Sequence, residues 1–149
     1  MDKEQLPKEV LKRMYQEDWF SQWLGIEPVK IGAGSCVLRM IVRKDMLNGF
    51  GIAHGGITYS LADSALAFAS NSYGRKAVSV ETSISHTEPV KEGDILTAVA
   101  EELSLSNKIA VYQIRVIRQD EKLVALFKGT VYRTAKPWFP DQEEQITKN

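Results

Sequence analysis

The sequence has only one cysteine among its 149 residues, Cys36, and no excess of charge, with 19 basic against 19 acidic side chains. A single cysteine cannot form an intrachain disulfide, and no cysteine pair is present to hold a metal. The zero net charge excludes a protein that holds nucleic acid by bulk basicity, and equally an acidic tail protein. No apolar run approaches the about 18 residues that a membrane-spanning helix needs.

What the sequence does contain is typical of one globular domain. Its length suffices to bury a core, and 44% hydrophobic residues are too many for a disordered segment. The first ten residues, MDKEQLPKEV, are too charged for a secretory signal peptide, so we expect a cytoplasmic protein.

Hydrophobic periodicity predicts an α+β fold. Residues 1–23 form a predicted N-terminal helix, with apolar residues that include Phe20 and Trp23 at three-to-four spacing. A glycine-turned hairpin follows, and then a helix over 57–72 that is apolar or small on nearly every side, as buried helices are. Further predicted strands begin at residue 76 and cover 94–103, 108–118 and 123–134. We therefore expect a mostly antiparallel sheet around one apolar helix over 24–136, and a polar C-terminal tail over 137–149.

The middle of the chain is almost empty of charge. Between Asp45 and Arg75 lie 29 residues, and Asp63 is the only one of them that carries a formal charge. No basic residue stands three or four positions from Asp63, so no local ion pair offsets the cost of burying its carboxylate. Two interpretations remain open: a catalytic carboxylate that faces a cleft, or an Asp that is hydrogen-bonded to a neighbouring backbone or to another subunit.

The residues His54-Gly55-Gly56 stand where the apolar helix begins. The first amides of a helix have no internal partners and lie at its positive end, so they can hold an anion or a developing oxyanion. Glycines let a ligand approach such amides closely. Taken alone, however, the tripeptide fits a plain turn into a helix, with His54 as the cap.

The other polar candidates are each better explained as structure when taken singly. Asn48-Gly49 is typical of a turn. Ser79 and Glu81 can line a pocket or face solvent, and Cys36 lies in a predicted strand without a base beside it. His86 stands at a strand end, and two histidines without clustered ligands make a weak metal site.

Taken together, these motifs resemble the hotdog-fold acyl-CoA thioesterases, and within them the phenylacetic-acid-degradation (PaaI-type) family. The resemblance covers about residues 24–134 and rests on the spacing Asn-x5-His-Gly-Gly-x6-Asp, which begins at Asn48, on the run Leu-Ala-Asp-Ser-Ala-Leu-Ala-Phe-Ala, and on Glu88-Pro89 at a strand end. The motif combination is far more specific than its parts. Ala67 stands where a related hydroxybenzoyl-CoA branch carries Thr, which favours the PaaI-type branch.

The resemblance implies a curved antiparallel sheet around a central helix, in subunits that pair into dimers and commonly into dimers of dimers. It places the active site at the dimer interface. Carried onto this chain, the Gly55 amide polarises the thioester carbonyl, with Gly56 beside it, and Asp63 acts as general base or nucleophile. Asn48 helps to place the attacking water or the carboxylate, and His54 shapes the loop.

The same resemblance gives the substrate side of the site. Ser79 matches a position at which some relatives use a polar side chain on water, and Arg75, Lys91 and Lys108 are candidates for the phosphates of coenzyme A. No cofactor is expected, since coenzyme A is part of the substrate, and no metal. The alternative to an enzyme is a non-catalytic acyl-CoA sensor on the same scaffold; a hydratase ranks lower because His54 lies in the oxyanion loop.

Overall fold

The computed structural model describes residues 1–140 of the chain. Its helices are α1 (Gln5–Tyr15), α2 (Trp19–Trp23) and α3 (Gly55–Asn71), with a 3-10 turn at Lys44–Met46. Its strands are β1 (Glu27–Gly32), β2 (Ser35–Ile41), β3 (Arg75–His86), β4 (Ile95–Leu105), β5 (Ile109–Arg118) and β6 (Leu123–Pro137). The predicted order of helices and strands is confirmed.

The six strands form one antiparallel sheet in the order β1-β2-β4-β5-β6-β3. Helix α3 packs against this sheet, and the side chains between them, among them Leu61, Leu66, Phe68, Ile114 and Phe127, are almost completely buried. The arrangement is the curved sheet around a central helix that was expected. Strands β1 and β3 are its two edges.

The N-terminal helix differs from the prediction because it is interrupted. Helix α1 ends at Tyr15, and α2 begins only after Asp18, whose carboxylate accepts hydrogen bonds from the Ser21 amide and hydroxyl. An Asp that caps a helix start is more stable there than inside a continuous helix. Of the apolar residues at helical spacing in this segment, Phe20 and Trp23 are exposed, whereas Leu24 is buried.

Helix α3 is buried as predicted from Leu61 to Asn71 except at Asp63 and Ala67, whereas its first two turns are only partly covered; a stripe of small side chains runs through both parts. The half-buried or exposed positions Gly56, Ser60, Asp63 and Ala67 recur at intervals of three and four residues, so they share one face of the helix. All four side chains are small. Asp63 therefore lies on a face of α3 that the rest of the subunit covers only in part.

Strand β3 departs from simple alternation. A bulge interrupts its pairing with β6 between Ser79 and Glu81, and the apolar side chains of Val78 and Val80 are 56% and 62% exposed. Because β3 is an edge strand, its outer backbone groups have no partner strand within residues 1–140. An unpaired edge that presents valines is a surface suited to pairing with another strand.

The first residues of the predicted tail are packed against the fold. The indole of Trp138 donates a hydrogen bond to Asn71 Oδ1 at 2.9 Å, and the Lys76 ammonium lies 4.9 Å from the indole centre. Residues 141–149, the rest of the predicted tail, lie outside the described residues. None of the helices described is both long enough and apolar enough to span a bilayer.

The hairpin turn between β1 and β2 supplies a stability test, because Gly34 combines a φ of +71° with a crowded site. A Cβ there would lie 2.8 Å from the Tyr73 hydroxyl, so Gly34→Ala adds crowding to a strained backbone. We expect Gly34→Ala to lower the free energy of unfolding, measured by urea denaturation, by about 1–3 kcal/mol more than Gly93→Ala does. Gly93 is the matched control, since its φ is +87° and a Cβ there meets no atom within 4 Å. Equal losses of stability in Gly34→Ala and Gly93→Ala would show that the close contact with Tyr73 does not destabilise the protein.

Candidate active site

The start of helix α3 leaves one backbone amide without an acceptor. His54 is the N-cap, and its Nδ1 accepts a hydrogen bond from the Gly56 amide at 2.9 Å. An Nδ1 that accepts carries no proton, so Nε2 is the donor of this ring. The Gly55 amide has no acceptor within residues 1–140. Gly55 N–H is thus a free donor at the positive end of a helix.

Gly55 lines an open cleft of about 390 Å³ together with Asn48, Thr58, His86 and Val90, which we call the loop cleft. A Cβ on Gly55 would lie 3.1 Å from His86 Nε2, so glycine permits the close approach of the imidazole to the helix start. The side chains of Asn48 and His86 bring further polar groups to the cleft that contains the free Gly55 amide.

Asn48 can act in the loop cleft only as a donor. Its Oδ1 accepts from the amides of Phe50, at 2.9 Å, and Ile52, at 3.4 Å, which holds the loop in shape. The Nδ2 group has no protein acceptor in the part of the chain that the structure describes. It is therefore available to an oxygen atom of a ligand, or to a carboxylate.

Asp63 lies in a different place, a cavity of about 230 Å³ that it lines with Ala67, Ser70, Val78 and Ser79; we call it the carboxylate cavity. Burial raises the pKa of Asp63 above its ordinary value, and the negative charge of Asp18 adds to the rise. A carboxylate of this kind is a stronger base than an exposed one.

A third cavity adjoins the other side of the helix start. It has a volume of about 300 Å³ and its lining includes Phe20, Trp23, Leu47, His54 and Gly56; we call it the aromatic cavity. The rings of Phe20 and Trp23 lie 6.0 Å apart between centroids. The helix start thus separates two cavities, with Gly55 in the wall of one and Gly56 in the wall of the other.

The amide and the carboxylate cannot act together within one subunit. Gly55 and Asp63 are eight residues apart on one helix, which places them about 12 Å apart along its axis. Groups that act on one carbonyl must lie within hydrogen-bond reach, about 3 Å, of the reacting atoms. Within one subunit, therefore, the Gly55 amide and the Asp63 carboxylate do not meet at one reacting carbonyl.

Comparison with known proteins identifies the family to which this arrangement belongs. The thioesterase superfamily model matches residues 50–125, which include the helix start, Asp63 and strand β3. The chain belongs to the thioesterase superfamily. Its similarity to individual members extends beyond the matched region and identifies the PaaI-type branch, in agreement with the resemblance seen in the sequence.

Three comparisons carry this assignment. A provisionally named esterase of Archaeoglobus fulgidus is 40% identical over 138 residues, which cover 93% of this chain and 90% of that one. The acyl-coenzyme A thioesterase PaaI of Escherichia coli is 40% identical over 120 residues, or 80% and 86% of the two chains. The solved structure of the Escherichia coli PaaI protein from the phenylacetic acid degradation operon superposes with a TM-score of 0.89 at 35% identity, covering 91% of this chain and 99% of that one.

Within this thioesterase the predicted site residues fall into two groups. Asn48 and Gly55 share the loop cleft, with His54 and Gly56 at its border with the aromatic cavity. Asp63 and Ser79 share the carboxylate cavity. One subunit does not bring the two groups together, as the helical distance between them requires.

The three basic residues proposed for phosphate binding lie in three different parts of the structure. Lys91 is exposed and directly follows Val90 of the loop cleft, whereas Lys108 is exposed at the opposite end of the sheet, in the turn before β5. Arg75 does not suit the role. It is 6% exposed, and its guanidinium donates to Asn107 and to the carbonyls of Arg133 and Thr134, so it joins β3 to β6 and the β4–β5 turn.

Sequence reasoning missed His86 and the two aromatic residues of α2 as cavity-lining groups. The histidine precedes Thr87-Glu88-Pro89, and only the pairing of β3 with β6 places it beside Gly55. For Phe20 and Trp23 the helical spacing predicted a helix and said nothing about a cavity. A signal was present, since the same segment contains Trp19, and three large aromatic residues within five positions exceed what one turn of helix can bury.

The described residues contain no cluster of three or more metal-ligating side chains. Cys36 is buried, and burial raises the pKa of its thiol to about 12, which favours the unreactive protonated form. The polar chemistry described above therefore comes from an amide, a carboxamide, an imidazole and a carboxylate.

The raised pKa of Asp63 gives a stability test. The ordinary pKa is 3.8 and the folded one is higher, so below 3.8 the carboxyl is neutral in both states and folding loses nothing. As the pH rises above 3.8 the unfolded state ionises first, so the folded state loses relative stability until its own carboxyl has ionised, and the loss is then constant. We expect Asp63→Asn to melt at a higher temperature than the wild type near pH 8, with a difference that disappears near pH 3.

The melting temperatures should be measured at equal subunit concentration. Glu92→Gln serves as the control, because Glu92 is exposed in the turn before β4 and has no ion pair with any residue of 1–140. A destabilised Asp63→Asn protein at pH 8 would contradict the prediction and indicate a structural hydrogen bond to the carboxylate.

Proposed function

We propose that this thioesterase hydrolyses acyl-CoA thioesters to a free acid and coenzyme A, with Asp63 as general base or nucleophile. The observation that carries the proposal is the free Gly55 amide in one cleft with the Asn48 carboxamide donor. Two donors that line one open cleft can donate hydrogen bonds to the carbonyl oxygen of a thioester. Similarity to an acyl-coenzyme A thioesterase supports the substrate class.

The reaction follows from what a thioester requires. Attack at the carbonyl carbon moves an electron pair onto the carbonyl oxygen, and one well-placed donor stabilises that charge by about 3 kcal/mol. As general base, Asp63 takes a proton from the attacking water; as nucleophile, it forms an anhydride that water then opens. In both routes the tetrahedral intermediate collapses by expelling the thiolate of coenzyme A, which takes up a proton.

The second copy of the chain is the source of the carboxylate. The small side chains of the α3 stripe leave room for another helix, and the unpaired β3 edge with Val78 and Val80 can continue the sheet into a partner. An isologous pairing would set two α3 helices antiparallel, so that each Gly55 faces the partner's Asp63. We propose this dimer as the active unit, with a dimer of dimers as the larger assembly.

The remaining residues take supporting roles in the same proposal. Ser79, beside Asp63 in the carboxylate cavity, would hold the attacking water. Lys91 borders the loop cleft and is the first candidate for the phosphates of coenzyme A; Lys108 is the second, from the partner. The acyl group would be an aryl-acyl or medium-chain group, in keeping with the operon named for the Escherichia coli relative, and the site would work in the cytoplasm.

Asp63→Asn tests the catalytic assignment. We expect kcat for thiol release from phenylacetyl-CoA to fall by about a hundredfold or more, because an amide is neither base nor nucleophile. Substrate binding should be largely kept. Glu92→Gln is again the control and should keep the wild-type rate. Equal slow rates in wild type and Asp63→Asn would remove Asp63 from catalysis, and binding of acyl-CoA without turnover in either protein would favour the sensor.

Mixing two inactive variants tests the shared site. Gly55→Pro removes the amide hydrogen at a position where proline is tolerated, the first residue of a helix after an extended His54 with ψ of 136°. Gly55→Ala is the control that crowds His86 but keeps the amide, and it should retain more activity. Co-expressed Gly55→Pro and Asp63→Asn subunits should recover roughly a quarter of the wild-type activity, since half of random dimers are mixed and each mixed dimer has one intact site.

No recovery in mixed dimers, or a stable monomer in a mass measurement, would contradict the shared site. The experiment requires that mixed dimers form, which native mass spectrometry of the co-expressed sample measures directly. Recovery well above a quarter would likewise be inconsistent with random pairing of one intact site per mixed dimer.

A further inference from the structure

His86 is the one histidine in the lining of the loop cleft. Neither of its ring nitrogens has a hydrogen-bond partner within residues 1–140. The other histidine of the chain, His54, differs in both respects: its Nδ1 accepts from the Gly56 amide, and it lines the aromatic cavity. The imidazole of His86 is therefore the one that is free to act on a molecule in the loop cleft.

Two observations fix where this ring lies. His86 pairs across the sheet with Ala125, which is completely buried, and residues opposite each other on neighbouring strands share one face. The side chain therefore points toward α3. Its Nε2 is the ring atom nearest to the helix start, since a Cβ on Gly55 would lie 3.1 Å from Nε2 and 3.4 Å from Cε1. A nitrogen that can carry a proton thus lies beside the residue that offers the free amide.

We propose that His86 is a catalytic residue, and that its Nε2 gives a proton to the sulfur atom as coenzyme A leaves. This inference rests on the proposed function, which puts the thioester carbonyl at the Gly55 amide and the coenzyme A arm along the loop cleft toward Lys91. The sulfur joins the carbonyl to that arm, so it lies where the helix start meets the cleft. His86 stands at this junction.

The proton transfer completes the reaction. When the tetrahedral intermediate collapses, the C–S bond breaks and its electron pair goes to sulfur. The imidazolium of His86 gives its Nε2 proton to that sulfur, so a thiol leaves and the ring becomes neutral. The proton that Asp63 takes from water passes to solvent, and solvent returns one to the ring. An alkyl thiol is a weak acid, so its thiolate leaves more easily when a proton is supplied.

The other polar groups of the loop cleft are unsuited to this role. Asn48 and Thr87 can donate hydrogen bonds, but a carboxamide and an alcohol do not give up a proton near neutral pH. Glu88, the one acidic side chain in the lining, has only acceptors as a carboxylate. Imidazole is the side chain that both gives and regains a proton in this pH range.

A comparison of leaving groups tests the proposal. Thiol release is measured on phenylacetyl thioesters of coenzyme A, of N-acetylcysteamine and of 4-nitrothiophenol, whose stable thiolate leaves without a proton. We expect His86→Gln to lower kcat about tenfold or more on the first two and less than about twofold on the third. Glutamine keeps a hydrogen-bond donor but cannot transfer a proton. His86→Phe keeps a ring of similar size and should show the same pattern.

Two further variants make the pattern specific. Ser85→Ala is the matched control, because Ser85 precedes His86 on β3, is exposed and pairs with Leu126 on the opposite face of the sheet. It should leave all three rates within about twofold of the wild type. Asp63→Asn should lose activity on all three thioesters, since each needs a base or nucleophile whatever group departs.

Equal losses on all three thioesters in the His86 variants would overturn the proposal, because they would show that the ring acts on the carbonyl oxygen or on the fold. Wild-type rates in both His86→Gln and His86→Phe would overturn it as well. Failure of the proposed function looks different: a wild-type protein that hydrolyses none of the three thioesters would refute hydrolysis, and the role of His86 with it.

Discussion

An α-helix advances about 1.5 Å per residue, and helix α3 presents its free Gly55 amide and its Asp63 carboxylate eight residues apart. The other features of the site follow from that distance. From Leu61 onward the rest of the subunit buries α3 except at Asp63 and Ala67, which share a stripe with Gly56 and Ser60. In the proposed dimer two such helices lie side by side in opposite directions, which lets the amide of one and the carboxylate of the other act on one carbonyl.

The uncharged middle of the chain has a physical reason in the same geometry. A helix enclosed by a sheet on most of its surface tolerates no solvated charge, because each would lose hydration without gaining a partner. Asp63 is the exception because it lies on the stripe, and burial there still raises its pKa. Burial of the Asp63 carboxylate thus has two effects: it lowers the stability of the fold and it makes the carboxylate a stronger base, as is common for groups at functional sites.

The sequence was informative where local pattern and fold agree. The apolar run of α3, the glycine turn between β1 and β2, and the lone Asp63 were predictable because each has a local signature. The break before α2 and the exposure of Phe20 and Trp23 were not, because an apolar residue at helical spacing faces either a core or a ligand, and spacing does not distinguish them. Arg75 was misjudged similarly, since charge alone does not say that carbonyl groups enclose it.

The two edge strands of the sheet differ in how readily they can pair with a strand from another copy of the chain. Strand β1 is blocked against strand addition: Pro28 has no amide hydrogen, a bulge follows it, and Glu27 is paired with Arg39. Strand β3 is open. Pairing through β3 uses the open edge of both partners and leaves a twelve-stranded sheet that ends in two blocked strands. In the proposed dimer, growth by sheet extension would stop at two copies, so the interface proposed to complete the site would also limit fibrous aggregation.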